Sequence, residues 1–203
     1  MGHPNPERLI PLAFYQKKDV VELAKELIGC TVHTTFDNAY CVAQITETEA
    51  YRGWGDKACH AHMNRRTKRT EIMYAPGGLA YVYLCYGIHH LFNIVTNQED
   101  NADAILIRAA KPISGVDNML ERRKQEEVKP NLLAGPGNFS KGMGINTAHS
   151  GKKLNGSEIW LEFDPDYSIE LVASKRIGID YAEEDKHLPW RFYPKGSHYI
   201  SKK

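Results

Sequence analysis

Several kinds of residue pattern are missing from this chain. Its four cysteines, Cys30, Cys41, Cys59 and Cys85, form no CxxC pair. That argues against a zinc ribbon or a thioredoxin motif and points to free thiols in a reducing compartment. No apolar run approaches the roughly 20 residues that a membrane span requires. The first residues, Met-Gly-His-Pro-Asn-Pro-Glu, carry neither a basic nor an apolar leader region. A soluble, cytoplasmic protein is therefore expected. Charge of one sign is also missing: 26 Lys+Arg face 25 Asp+Glu, for a net charge of +1. That argues against binding a polyanion by bulk charge, as a histone does, but leaves room for a local basic face. No repeat, low-complexity tract or Gly/Ser linker interrupts the 203 residues, so one domain is expected. The glycine-rich stretch 135–144, GPGNFSKGMG, lacks the GK[ST] of a phosphate loop and reads as turns and loop.

What is present is ordinary globular material, with 42% apolar and 25% charged residues. Residues 19–29 predict an amphipathic helix, with Val20, Leu23, Ala24, Leu27 and Ile28 on one face. Asp19 and Glu22 read as its capping pair and Gly29 as its stop. Residues 30–36 and 39–51 predict strands joined at Asp37-Asn38. Residues 79–86 and 88–97 predict a hairpin around Gly87, and 102–109 another strand. Ser114 is expected to open a helix reaching about residue 128, with Asp117 in its first turn. Segments 158–163 and 168–173 read as a closing hairpin, and Lys202-Lys203 as a frayed tail. Strands grouped by hairpins, without a βαβ rhythm, predict an α+β fold with an antiparallel sheet.

The stretch 45–60, ITETEAYRGWGDKACH, carries the densest chemistry. Strand alternation places Glu47, Glu49 and Tyr51 on one face, following Cys41, Ala43 and Ile45. Two carboxylates at a strand end fit either a solvated terminus or an acid/base pair, and alternation does not choose between them. Cys59, His60 and His62 form a CHxH cluster, but no third ligand follows at a convincing spacing, so no metal is expected. His89-His90 reads as an exposed strand pair. Residues 52–70 hold Arg52, Lys57, Arg65, Arg66, Lys68 and Arg69 against the single acid Asp56. That local excess is the footprint of phosphate contacts, and the compensating acids, Glu99, Asp100 and Asp103, lie elsewhere in the sequence. Tyr81 and Tyr83 share a strand face, while Tyr86 sits at a hairpin tip with no core to fill and reads as a protruding wedge. Together, a carboxylate, phenols, an imidazole, a basic loop and a wedge are what an enzyme acting on an extruded base needs.

Read as a whole, the chain resembles the alkyladenine (3-methyladenine) DNA glycosylases of the mammalian-type fold. The resemblance rests on TEAY at 48–51, then Gly53, Asp56, Ala58 and His60. It continues through APGGLAYVYLCYGIHHLFNIVT at 75–96, AILIRAAKP at 104–112 and GPGNFSKGMGI at 135–145, then the RIGIDYA and WRFY segments. It spans roughly residues 9–201. It implies a single catalytic domain with a curved antiparallel sheet, flanking helices and a protruding β-hairpin. It implies that Glu49 activates water and that Arg108 helps hold that water. Tyr51 and His60 would stack on one face of a flipped base and Tyr83 on the other, with Tyr81 as a neighbour. Asn93 would crowd the exocyclic amine of guanine, and Tyr86 would fill the gap left in the duplex. Arg52, Arg65, Arg66, Lys68 and Arg69 are the candidates for backbone contact.

The resemblance further implies a monofunctional hydrolase of alkylated or deaminated purines in double-stranded DNA, acting as a monomer without metal or cofactor. The chain departs from the family in its basic loop. An Arg-Thr-Pro-Arg stretch is replaced by Arg66-Thr67-Lys68-Arg69, and Glu71 adds an acid close by. The alternative from a different class is a non-catalytic protein that binds lesions with the same pocket and wedge. Glu49 and Arg108 argue against it.

Overall fold

The protein is described by a computed structural model covering residues 2–202. Met1, the first of the residues read above as lacking a leader, and Lys203 of the expected tail lie outside the described residues. Helix α1 (Leu12–Tyr15) precedes α2 (Val20–Glu26). Asp19 caps α2 by accepting the Val21 and Glu22 amide protons, which would otherwise lack partners. Glu22 does not reach back; it pairs instead with Lys25 at 2.6 Å. The helix buries Val20, Leu23 and Ala24.

Strands β1 (Thr31–Phe36) and β2 (Ala39–Tyr51) meet at Asp37-Asn38, both left-handed, as a tight hairpin turn requires. Strands β3 (Ala80–Cys85) and β4 (His89–Thr96) form the second hairpin, and β5 (Asp103–Ser114) follows. The sheet runs β3-β4-β5-β2-β1 and ends at β6 (Ile159–Glu162). Beside it, β7 (Leu171–Ser174) pairs with β8 (Arg191–Pro194), and β8 pairs with the far half of β2. Every pairing is antiparallel. Helices α3 (Val116–Arg123) and α4 (Pro136–Met143) pack with α2 over one face, around Leu23, Ile45, Phe92, Ile105, Phe139 and Met143. This is the expected α+β architecture. Among the described residues, no helix is long and apolar enough to cross a membrane.

Three expected elements are corrected. The stretch 135–144 is mostly helix, not loop. Pro136 opens it, left-handed Gly144 closes it, and its interior glycines serve packing. A Cβ on Gly142 would lie 2.3 Å from the Leu133 side chain, and one on Gly137 within 2.9 Å of His89. Ser114 ends β5 rather than opening a helix, and α3 stops at Arg123, well short of residue 128. Gly115 between them is left-handed, and a Cβ there would lie 2.1 Å from the Tyr40 carbonyl oxygen. The segments around β6 and β7 do not pair with each other: β6 lies against β1, where Trp160 stacks on His33, and β7 lies against β8.

The fourth correction bears on function. Alternation does not run unbroken from Cys41 to Tyr51. The register of β2 on β5 shifts on both sides of Glu47. Ile45 and Ala50 both belong to the main core although they lie five positions apart, an odd offset that strict alternation would place on opposite faces. Thr48 also faces that side and donates its hydroxyl to the Ala24 carbonyl of α2. Thr46 and Glu47 instead both bond the C-terminal segment, at Tyr199 and Ser201. This bulge carries Glu47, Glu49 and Tyr51 to the face opposite Cys41, Ala43 and Ile45. A regular strand would have driven both carboxylates into the apolar core.

Candidate active site

The second face of the sheet carries a smaller apolar cluster that includes Cys59, Met73, Tyr74, Tyr81 and Ala104. Loop 52–70 folds over this face. A cavity of about 450 Å³ opens there, walled by Tyr51, His60, Tyr81, Tyr83, Asn93 and Arg108, with Tyr86 at its rim. These are the residues that the sequence singled out, drawn from four separate segments.

Glu49 lies fully buried behind this wall. Its Oε2 accepts the Tyr51 hydroxyl at 2.8 Å and Arg108 Nη1 at 3.1 Å. Its Oε1 accepts the Ile177 backbone N–H at 2.7 Å. A carboxylate offers about four acceptor positions, so one on Oε1 is left over. Burial, and then the Glu49 charge, push the Tyr51 phenol well above its ordinary range, so it stays a proton donor. Burial alone would lower Arg108, but Glu49 and Glu47 outweigh it and hold the guanidinium charged.

His60 bonds Tyr81 Oη through Nδ1 at 3.0 Å and Arg69 through Nε2 at 3.2 Å. Arginine can only donate, so Nε2 is the acceptor and the ring proton sits on Nδ1. Burial first, then the charges of Arg69 and Arg65, push this imidazole down to about 4. The His60 and Tyr83 rings meet edge-on, 4.7 Å apart, and the Arg69 guanidinium lies 4.5 Å from the Tyr83 centroid. Asn93 spends both amide protons on the Tyr81 and Leu91 carbonyls. Tyr86 is 90% exposed at the β3–β4 turn.

The basic loop is less basic in space than in sequence. Lys57 pairs with Glu183 and Glu184. Arg66 pairs with Glu71 and with Asp100, one of the acids that lie apart in the sequence. Arg52 rests on the Trp190 ring. Arg65 and Lys68 make no ion pair among the described residues. The CHxH donors do not converge. Cys59 directs its thiol to the Ala102 carbonyl, and His60 is engaged as above. Burial pushes the Cys59 thiol up to about 12. His89 is exposed as expected, whereas His90 is half-buried.

Sequence reasoning missed several supports. Arg176 grips Asp56 with two bonds of 2.6 and 2.8 Å, both side chains fully buried. It also donates to the Ala50 carbonyl and lies 4.8 Å from the Tyr51 ring centroid. It thereby ties the loop bearing His60 to the segment that supplies the Ile177 amide. The RIGIDYA motif carried Arg176 in plain view, but a backbone amide has no sequence signal.

A family model described as methylpurine-DNA glycosylase (MPG) matches residues 13–198. The chain belongs to that family. Similar relatives bear the name "Putative 3-methyladenine DNA glycosylase". One from Chlamydia pneumoniae is 44% identical over 180 residues, covering 88% of this chain and 91% of its own. One from Alkaliphilus oremlandii is 41% identical over 197 residues, covering 94% and 97%. One from Natranaerobius thermophilus is 42% identical over 191 residues, covering 93% and 96%.

Proposed function

We propose that this protein is a monofunctional DNA glycosylase that flips an alkylated or deaminated purine out of duplex DNA and hydrolyses its N-glycosidic bond. The observation that carries this reading is a buried carboxylate, Glu49, set directly behind an aromatic cavity in a chain of the methylpurine-DNA glycosylase family. Glu49 uses its remaining lone pair to hold and deprotonate a water. Its charge also stabilises the oxocarbenium-like sugar as the bond to the base breaks. Arg108 keeps Glu49 in place and shares that water. No lysine attacks the sugar, so the product is an abasic site.

The cavity receives the base. Tyr51 and His60 stack on one side and Tyr83 on the other. Stacked rings repeat every 3.4 Å or so, which sets their separation across a base at about 7 Å. The His60 and Tyr83 rings, now 4.7 Å apart, must therefore part, and Arg69 must leave Tyr83. A cationic alkylated base gains cation–π attraction in such a pocket and flips at lower cost because it stacks and pairs poorly. Asn93 discriminates by crowding a guanine amine. Tyr86 occupies the vacated stack. Arg65 and Lys68 are the leading phosphate contacts, and the protein acts as a monomer.

The test is release of free base from duplexes carrying hypoxanthine, ethenoadenine or 3-methyladenine, with strand cleavage appearing only after alkali. Glu49→Gln is expected to slow release about 10²–10⁴-fold while lesion binding persists. Undiminished release by Glu49→Gln would falsify the role of Glu49. Lesion binding without release by the wild type would leave the non-catalytic alternative.

A further inference from the structure

Hydrolysis as proposed uses only one carboxylate of the pair, and Glu47 is left without a task. It is nonetheless fully buried. Its Oε1 lies 3.4 Å from Arg108 Nε and 3.6 Å from Arg191 Nε. Its other partners come from the end of the chain. The Ser201 N–H donates to Glu47 Oε2 at 2.6 Å, and the Ser201 hydroxyl donates to Oε1 at 2.9 Å. The same hydroxyl accepts Arg108 Nε at 3.3 Å.

The flanking residues of this segment are tied down as well. Thr46 Oγ1 donates to the Tyr199 carbonyl at 2.6 Å, and Arg191 Nη2 donates to the Lys202 carbonyl at 3.0 Å. Residues 199–202 thus form a strap across the back of the acid network. The family match ends at residue 198, before the strap begins.

We propose that Glu47 and Ser201 are positioning residues, and that the C-terminal strap is a working part of the active site. A guanidinium is a planar fork, so fixing one edge fixes the other. Glu47 and Ser201 hold the Nε edge of Arg108. That aims Nη1 at Glu49 Oε2. Arg108 and Arg191 balance the charges of Glu47 and Glu49, and all four side chains are buried. Without the strap, Glu47 loses two donors and Arg108 loses one acceptor. Arg108 is then free to turn toward Glu47 and away from Glu49. This inference rests on the hydrolase reading above for its catalytic consequence, though not for the geometry of the arginine.

The experiment compares the wild type with Ser201→Ala, Ser201→Thr and a chain ending at His198. Single-turnover release from a hypoxanthine duplex is measured under enzyme excess, alongside the Kd for that duplex. The side-chain Nε–H of Arg108 is followed by NMR hydrogen exchange. Ser201→Ala is expected to slow release on the order of tenfold at unchanged Kd and to expose the Arg108 Nε–H. Ser201→Thr, which keeps the hydroxyl, is expected to restore both. The chain ending at His198 is expected to be slower than Ser201→Ala. A full rate in Ser201→Ala overturns the proposal. So does a rate loss that Ser201→Thr fails to rescue or that follows weakened DNA binding. Should the wild type release no base at all, the hydrolase reading fails, and the arginine signal decides alone. Protection that survives Ser201→Ala then overturns the positioning role, and its loss supports that role.

Discussion

Burial and the guanidiniums of Arg69 and Arg65 push the His60 imidazole down to about 4, against roughly 6.5 for a free ring. The unfolded chain therefore takes up this proton first as the pH falls. The contribution of the neutral ring to stability is complete above pH 6.5 or so. It is lost between there and about pH 4, and nothing further is lost below. Urea unfolding of wild type and His60→Gln across that window should show the wild type losing roughly 1–3 kcal/mol more. Parallel pH profiles would mean that the ring is not held neutral. The residues of the pocket wall were legible because each is a chemically distinctive type in a recognisable string. The choice of Glu49 over Glu47 was not legible from alternation, because the bulge at Thr46–Glu47 breaks the very periodicity that such reasoning uses. The resemblance at TEAY favours Glu49, and its contacts to Tyr51 and Ile177 support the role proposed for it above.

Among the elements, the β3–β4 hairpin combines local strain with exposure. Tyr86 has φ 50 and Gly87 φ 71, and the Ile88 N–H returns to the Cys85 carbonyl at 3.1 Å. A bulky residue in the left-handed region costs roughly 1–2 kcal/mol, and a ring that is 90% exposed recovers little of that through packing. Tyr86→Gly should therefore melt at the same temperature as wild type or slightly higher. It should also lose preference for a lesion duplex over undamaged DNA, as measured by competition binding. An equal fall in both affinities would argue against the wedge. This hairpin was readable from sequence because its pairing is local and its turn carries a glycine. Strands β6 and β7 were misassigned to each other because their partners, β1 and β8, are set by distant parts of the chain. Helix α4 was hidden by glycines whose purpose is close contact with Leu133 and His89.

For the whole molecule, the net charge of +1 understates how charge is arranged, and the excess in residues 52–70 overstates it. Lys57 and Arg66 are neutralised by acids brought from elsewhere in the chain. Four cations of the loop remain: Arg52, Arg65, Lys68 and Arg69. Each phosphate neutralised adds about 0.9 to the salt slope of binding, so the slope on duplex DNA should be no steeper than about −4. Arg65→Ala with Lys68→Ala should flatten it, whereas Lys57→Ala should leave it nearly unchanged. A slope near −6 would mean that the intramolecular ion pairs open on DNA. Composition foresaw the near-neutral total. It could not foresee which acids fold back onto the loop, since ion pairing depends on where the chain returns.

The state of the thiols has a chemical consequence of its own. Cys30, Cys41 and Cys59 are free and buried, and burial raises all three, Cys30 and Cys59 to about 12. At neutral pH, a thiol with that value is ionised in only about one molecule in 10⁵, and the thiolate is the form that attacks electrophiles. Methylating agents that damage purines are themselves electrophiles. Repair is needed most when such agents are abundant, and a protein with exposed, acidic thiols would be consumed by them. Here the half-buried Cys85, at the end of β3, is left as the most accessible thiol, while the buried Cys59 of the pocket wall stays inert.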